Sequence, residues 1–96
     1  MLEKDITNKI LRYLRGLDEC FCFKEHGGSY GSCGIPDIII CYKGRFIALE
    51  VKTEKGKTTA LQDFNINKIN KSGGTAVVVR SLEDAKNVIS KTEESL

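Results

Sequence analysis

Residues 34 to 52, Gly-Ile-Pro-Asp-Ile-Ile-Ile-Cys-Tyr-Lys-Gly-Arg-Phe-Ile-Ala-Leu-Glu-Val-Lys, form the most apolar part of the chain, yet they carry Asp37, Glu50 and Lys52. Charged side chains in such a setting need a physical reason. Lys43-Gly44 reads as a two-residue hairpin turn, which the glycine permits. That turn pairs Tyr42 with Arg45, Cys41 with Phe46, Ile39 with Ala48 and Asp37 with Glu50. Side chains alternate along a strand, so Asp37, Ile39 and Cys41 share a face with Phe46, Ala48, Glu50 and Lys52. Directly opposed residues have Cβ atoms about 4.5–5.5 Å apart, and opposed like charges destabilise a sheet unless something offsets them. A divalent cation would do so, because carboxylate oxygens are the ligands Mg²⁺ prefers. Lys52 adds one positive charge, but a single ammonium cannot satisfy four carboxylate oxygens. A longer turn would shift the pairing while leaving the alternation intact.

Two further polar residues fall where apolar ones are the rule. At about 100° per residue, Glu3 projects between Ile10 and Leu14 on the apolar stripe of a first helix. Gln62 projects between Ile66 and Ile69 on a later helix. Each has a plainer reading. Glu3 is also a first-turn acid that complements the helix dipole. Thr59-x-x-Gln62 is also a capping box. Asp37 after Pro36 reads as a strand-entry turn residue, and Glu50 with Lys52 as a solvated sheet face, although Phe46 and Ala48 on that face weaken the second idea. His26 reads as a loop residue. What singles these residues out is their coincidence.

The elements that must position them follow from periodicity. A helix over 3–17 is predicted from Ile6, Ile10, Tyr13, Leu14 and Leu17. A short strand over 20–25 leads to the glycine-rich loop 26–34, then to strands near 36–42 and 45–52. The polar connection 53–57 precedes a helix from about 60 to 71, closed by Gly73-Gly74. Thr75–Val79 is a buried strand, parallel to a neighbour because a helix precedes it. Ser81 caps a last helix through about 90, and residues 91–96 are expected to fray. The order α-β-β-β-α-β-α defines an α/β single domain over 1–96, a mixed sheet flanked by helices.

Bulk properties set limits. A length of 96 residues leaves room for one core only. A net charge of +2 does not mark a nucleic-acid binder, though a balanced total can conceal a basic face. No apolar run is long enough to span a membrane, and the amphipathic start lacks a signal-peptide layout, so an intracellular, cytoplasmic protein is expected. Cys20, Cys22, Cys33 and Cys41 are therefore read as reduced thiols. Cys20, Cys22 and His26 do not have the spacing of a zinc site.

Gly34-x-Pro36-Asp37, then Glu50-x-Lys52, then Gln62 on a following helix resembles the PD-(D/E)xK nuclease superfamily. More narrowly, the chain resembles the VRR-NUC family of virus-type replication-repair nucleases, from Glu3 through the Val77–Val79 and Ser81–Asp84 segments. The resemblance implies a restriction-endonuclease-like core and metal-dependent cleavage of phosphodiester bonds in branched DNA such as Holliday junctions, in replication, recombination or repair. It also implies a homodimer, in the cytoplasm of a bacterium or virus-infected cell. By the same resemblance Asp37, Glu50 and the Val51 carbonyl bind Mg²⁺ or Mn²⁺. Lys52 orients or deprotonates the attacking water, Glu3 orients a water at the metal, and Gln62 positions Lys52, water or phosphate. With no separate DNA-reading module, recognition through phosphates is expected. The candidate contacts are Lys24, Tyr30, Arg45, Lys55, Lys57, Lys68 and Lys71, of which Lys55 and Lys57 directly follow the strand bearing Lys52. Each is also readable as an ordinary solvated side chain. Two rivals keep the fold without the chemistry: an inactive DNA-binding or assembly module, and a protein-interaction domain.

Overall fold

Helix α1 (Glu3–Arg15) forms because Ile6, Ile10, Leu11 and Leu14 make one apolar stripe, with acids in its first turn and arginines in its last. The computed structural model describes residues 1–26 and 34–96. Strand β1 (Cys20–Lys24) follows, then β2 (Ile38–Tyr42), β3 (Arg45–Val51), helix α2 (Ala60–Lys71), β4 (Thr75–Val79) and helix α3 (Leu82–Glu94). This is the α-β-β-β-α-β-α order expected of the sequence.

The four strands lie side by side as β1-β2-β3-β4. The first three run antiparallel, and β4 is parallel to β3, reached by a crossover through α2. The β2–β3 register pairs Tyr42 with Arg45, Cys41 with Phe46 and Ile39 with Ala48, as the two-residue turn requires. Lys43 and Gly44 both adopt positive φ, 49° and 83°, the backbone of a hairpin turn that matches strand twist.

One face of the sheet carries Ile38, Ile40, Tyr42, Ile47, Leu49, Val51 and Val79, buried against Ile10 and Leu14 of α1 and Ala85 and Ile89 of α3. That is the core. The alternate residues, Phe46, Ala48 and Glu50 among them, point to the other face, which α2 covers in part. None of the α2 side chains is fully buried. Asn70 nevertheless ties α2 to β4: its side chain accepts from the Ala76 N–H at 2.8 Å and donates to the Ala76 carbonyl at 3.0 Å.

Two expectations are corrected. The first helix ends at Arg15 with Gly16 as its cap, before Leu17. The last helix runs past 90: α3 continues to Glu94, where Glu93 accepts from the Tyr42 hydroxyl at 2.6 Å and from Lys43 Nζ at 2.8 Å. Lys43 and Tyr42 together hold the Glu93 carboxyl below the usual carboxylate range.

Candidate functional site

Asp37 stands one residue ahead of β2, so extending the ladder by one step sets it opposite Glu50. Its carbonyl accepts the Glu25 N–H at 2.7 Å, and its Oδ2 accepts the Val51 N–H at 2.8 Å. The carboxylate is thus fastened to the end of β3. In an antiparallel strand the N–H and C=O of a residue point to the same side, so the Val51 carbonyl also lies on the Asp37 side of β3.

Glu50 is the only buried acid among the described residues, at 2% exposed. Two donors approach its Oε2: Gln62 Nε2 at 3.3 Å and Lys52 Nζ at 3.9 Å. Its Oε1 is buried with no partner. Burial first, and then the adjacent Asp37 carboxylate, push the Glu50 carboxyl up to about 8, against the pull of Lys52. Glu3 contributes in the same direction, so its charge is felt at Glu50 although its side chain is exposed. The helical spacing had placed Glu3 facing the sheet. The first turn of α1 instead leaves Glu3 in solvent, on the same stripe as Thr7, Ile10 and Leu14.

Gln62 answers to both of its readings. Its Oε1 accepts the Thr59 N–H at 2.9 Å, its own N–H donates to Thr59 Oγ1 at 3.2 Å, and its amide nitrogen reaches Glu50. Gly34 holds this helix start close. It has φ +73°, and a Cβ there would lie 2.8 Å from both the backbone carbon and Cγ of Leu61. Only glycine lets the segment leading to Asp37 pass against the first turn of α2.

Asp37, Glu50, Lys52, Val51 and Gln62 therefore converge at one end of the sheet, with Glu3 at its margin. Lys55 and Lys57 are exposed on the loop that leaves β3 beside them. Lys24 ends β1 opposite Ile38, on the core-facing side of the sheet edge. Arg45 is not brought to the site: it lies at the hairpin end of β3, about 17 Å along the strand from Glu50, and donates to the Ser95 carbonyl at 3.3 Å. Lys68 and Lys71 are exposed in the last turn of α2, toward that same far end. Tyr30 and most of the glycine-rich loop lie outside the described residues.

The arrangement suits a hard divalent cation. It offers an orphaned buried carboxylate oxygen, a second carboxylate opposite, and a carbonyl on the same side, all oxygen donors. Among the described residues no group of three or more His, Cys, Asp and Glu side chains forms a cation site. Cys20, Cys22 and Cys41 are free thiols.

Arg80 was not anticipated. Its Nη1 donates to the carbonyls of Thr53 at 2.6 Å, Gly56 at 2.8 Å and Glu54 at 3.3 Å, all in the loop after Lys52. The available signal was its position, a cation directly after the buried strand Thr75–Val79 and directly before the helix cap Ser81.

No family model matches the sequence, and no curated protein matches it. Solved structures do. A structure described as "VRR_NUC domain" superimposes with TM-score 0.76 at 22% identity, covering 92% of this chain and 94% of that one. A second, "VRR_NUC domain protein", gives TM-score 0.70 at 19% identity, covering 95% and 87%. The chain has the VRR_NUC-domain fold over nearly its whole described length.

Proposed function

We propose that this chain is a VRR-NUC-family nuclease: a divalent-metal-dependent DNA endonuclease that hydrolyses phosphodiester bonds in branched DNA, Holliday junctions among its substrates. The observation that carries the reading is Glu50, a buried carboxylate with one oxygen orphaned, set opposite Asp37 and flanked on its other oxygen by Lys52 and Gln62. A fold does not need such a group, because a buried acid with one oxygen left unsatisfied costs stability. A site that concentrates positive charge on a phosphate does.

Asp37 and Glu50, with the Val51 carbonyl, would hold Mg²⁺ or Mn²⁺, which polarises the scissile phosphate and acidifies a water. Val51 N–H keeps Asp37 oriented. Lys52, only 12% exposed, places an ammonium where negative charge develops on the phosphoryl oxygens and where an attacking water can be oriented. Gln62 donates to Glu50 Oε2 and so orients the carboxylate. Glu3 stands where it can accept from a water at the rim. Lys55 and Lys57 supply phosphate contacts, which favour DNA without reading its sequence.

The partner surface is the uncovered half of the sheet. Phe21 is opposite Cys41 and Cys41 opposite Phe46, so the three form one row across the strands. Phe21, Phe23 and Phe46 are 69%, 42% and 47% exposed. At about 200 Å² per phenylalanine they offer roughly 300 Å² of apolar surface, about two-fifths of what a standard interface takes from each partner. A two-fold dimer on this face would present two cutting sites to a junction.

The test uses labelled four-way-junction, flap, duplex and single-stranded DNA with Mg²⁺, Mn²⁺ or EDTA, alongside Lys52→Ala. Metal-dependent cutting of the branched substrates, reduced about 10²-fold or more in Lys52→Ala, is the expected result. Binding without cutting by either protein would replace this reading with the inactive DNA-binding module.

A further inference from the structure

The loop after Lys52 is gripped from outside by a single side chain. Thr53 and Gly56 close a turn, with the Gly56 N–H donating to the Thr53 carbonyl at 3.1 Å. The turn folds back onto the catalytic strand: a Cβ on Gly56 would lie 3.5 Å from Lys52 Cβ and 3.3 Å from Thr53 Oγ1. Arg80 Nη1 then donates to the carbonyls of Thr53 and Gly56, the two ends of the turn, at 2.6 and 2.8 Å. Arg80 is itself well founded. Its N–H donates to Asp84 Oδ2 at 2.8 Å, Asp84 N–H donates to the α3 cap Ser81 Oγ at 3.1 Å, and the preceding Val79 carbonyl accepts the Lys52 N–H at 3.0 Å.

We infer that Arg80 is a positioning residue: it fastens the Thr53–Gly56 turn against the root of Lys52 and thereby presents Lys55 and Lys57 to the DNA backbone. The inference rests on the nuclease reading. The physical case is one of conformational entropy. Residues 52–59 include no helix or strand after Val51, and a loop free to move would spread its two lysines over many positions. An arginine suits the task because its group is permanently charged and the two N–H bonds of Nη1 can serve the Thr53 and Gly56 carbonyls at once. With Nη1 aimed at those carbonyls, Arg80 acts on DNA through the turn and not as a phosphate contact.

That distinction is measurable. The salt dependence of junction-DNA binding, read in EDTA, loses about 0.9 of slope per phosphate contact removed. Lys55→Ala/Lys57→Ala is expected to flatten the slope by about two contacts. Arg80→Ala is expected to flatten it by about one to two, although it removes one charge, and the triple variant to match the lysine double variant. Arg80→Gln, which keeps an amide donor on a shorter arm, should fall between wild type and Arg80→Ala, and unchanged melting of both variants would exclude a folding defect. In Mg²⁺, KM for the junction should rise more than kcat falls, because Lys52 keeps its strand bond to Val79. A triple variant flatter than the lysine double variant by one further contact would make Arg80 a direct phosphate ligand and overturn the inference. So would an Arg80→Ala protein with wild-type slope and KM. Wild-type cleavage in the same experiment separates the cases: if wild type cuts and Arg80→Ala is normal, only the positioning role fails, whereas wild type that neither binds nor cuts removes both.

Discussion

Gln62 works with both ends of its amide: Oε1 accepts the Thr59 N–H at 2.9 Å while Nε2 reaches Glu50 Oε2 at 3.3 Å. The start of α2 and the orientation of the buried carboxylate are therefore set by one side chain. The two tasks can be separated. Thr59→Ala removes the reciprocal cap and leaves the amide near Glu50, so it should lower stability by about 1 kcal/mol with a near-normal single-turnover rate. Gln62→Ala should cost similar stability and also slow cleavage. Urea midpoints and single-turnover kinetics on the two variants decide it, and equal rates would remove Gln62 from the site.

Glu50 makes the metal-free protein sensitive to pH in a definite direction. Its carboxyl rises from 4.5 to about 8 on folding, chiefly through burial and then through Asp37. Between those values the folded chain holds a proton that the unfolded chain has released, so stability falls as pH rises across that window. The loss should be on the order of a few kcal/mol. Urea denaturation in EDTA at about pH 5 and about pH 9 should show it, and Glu50→Gln should abolish it. Mg²⁺ or Mn²⁺ should restore stability at the high-pH end by mass action, in wild type but not in Glu50→Gln.

Gly34 and Gly44 both have positive φ, but their surroundings differ. A Cβ on Gly34 would meet Leu61 at 2.8 Å, whereas one on Gly44 would meet nothing within 4 Å. Gly44→Ala should cost only its backbone strain, about 1 kcal/mol, and retain cleavage. Gly34→Ala must also push α2 away from Asp37, so it should cost more, about 2–3 kcal/mol or above, and slow cutting. Similar rates for the two variants would argue against this coupling.

The phenylalanine row predicts assembly. Phe21 is 69% exposed, so Phe21→Glu should leave the fold intact while converting a dimer to a monomer in sedimentation. Junction cutting should then become sequential instead of paired. A wild-type chain that sediments as a monomer at micromolar concentration would remove the dimer from the proposal.

Much of the site was legible because its geometry is short-ranged. Lys43-Gly44 can close only a tight turn, the turn sets the register, and strand alternation then brings Asp37 and Glu50 to one face. The capping pattern around Thr59 and Gln62 was likewise readable in four residues. Arg80 was not, because its partners lie 24 to 27 residues away in a loop whose path no local rule dictates. The end of α3 was misread for the same reason: Lys91 to Leu96 look like a polar tail until Tyr42 and Lys43, 51 and 50 positions away, are found holding Glu93.

By itself, then, the order of residues determined the elements, the hairpin register and the facing pair of carboxylates, since hydrogen bonding and side-chain alternation act over a few positions. Only the tertiary structure decided that Glu50 is buried with an oxygen unpaired, that Glu3 stands in solvent at the rim, and that Arg80 holds the loop. Those outcomes depend on which surfaces pack together, and burial and charge environment exist only after packing.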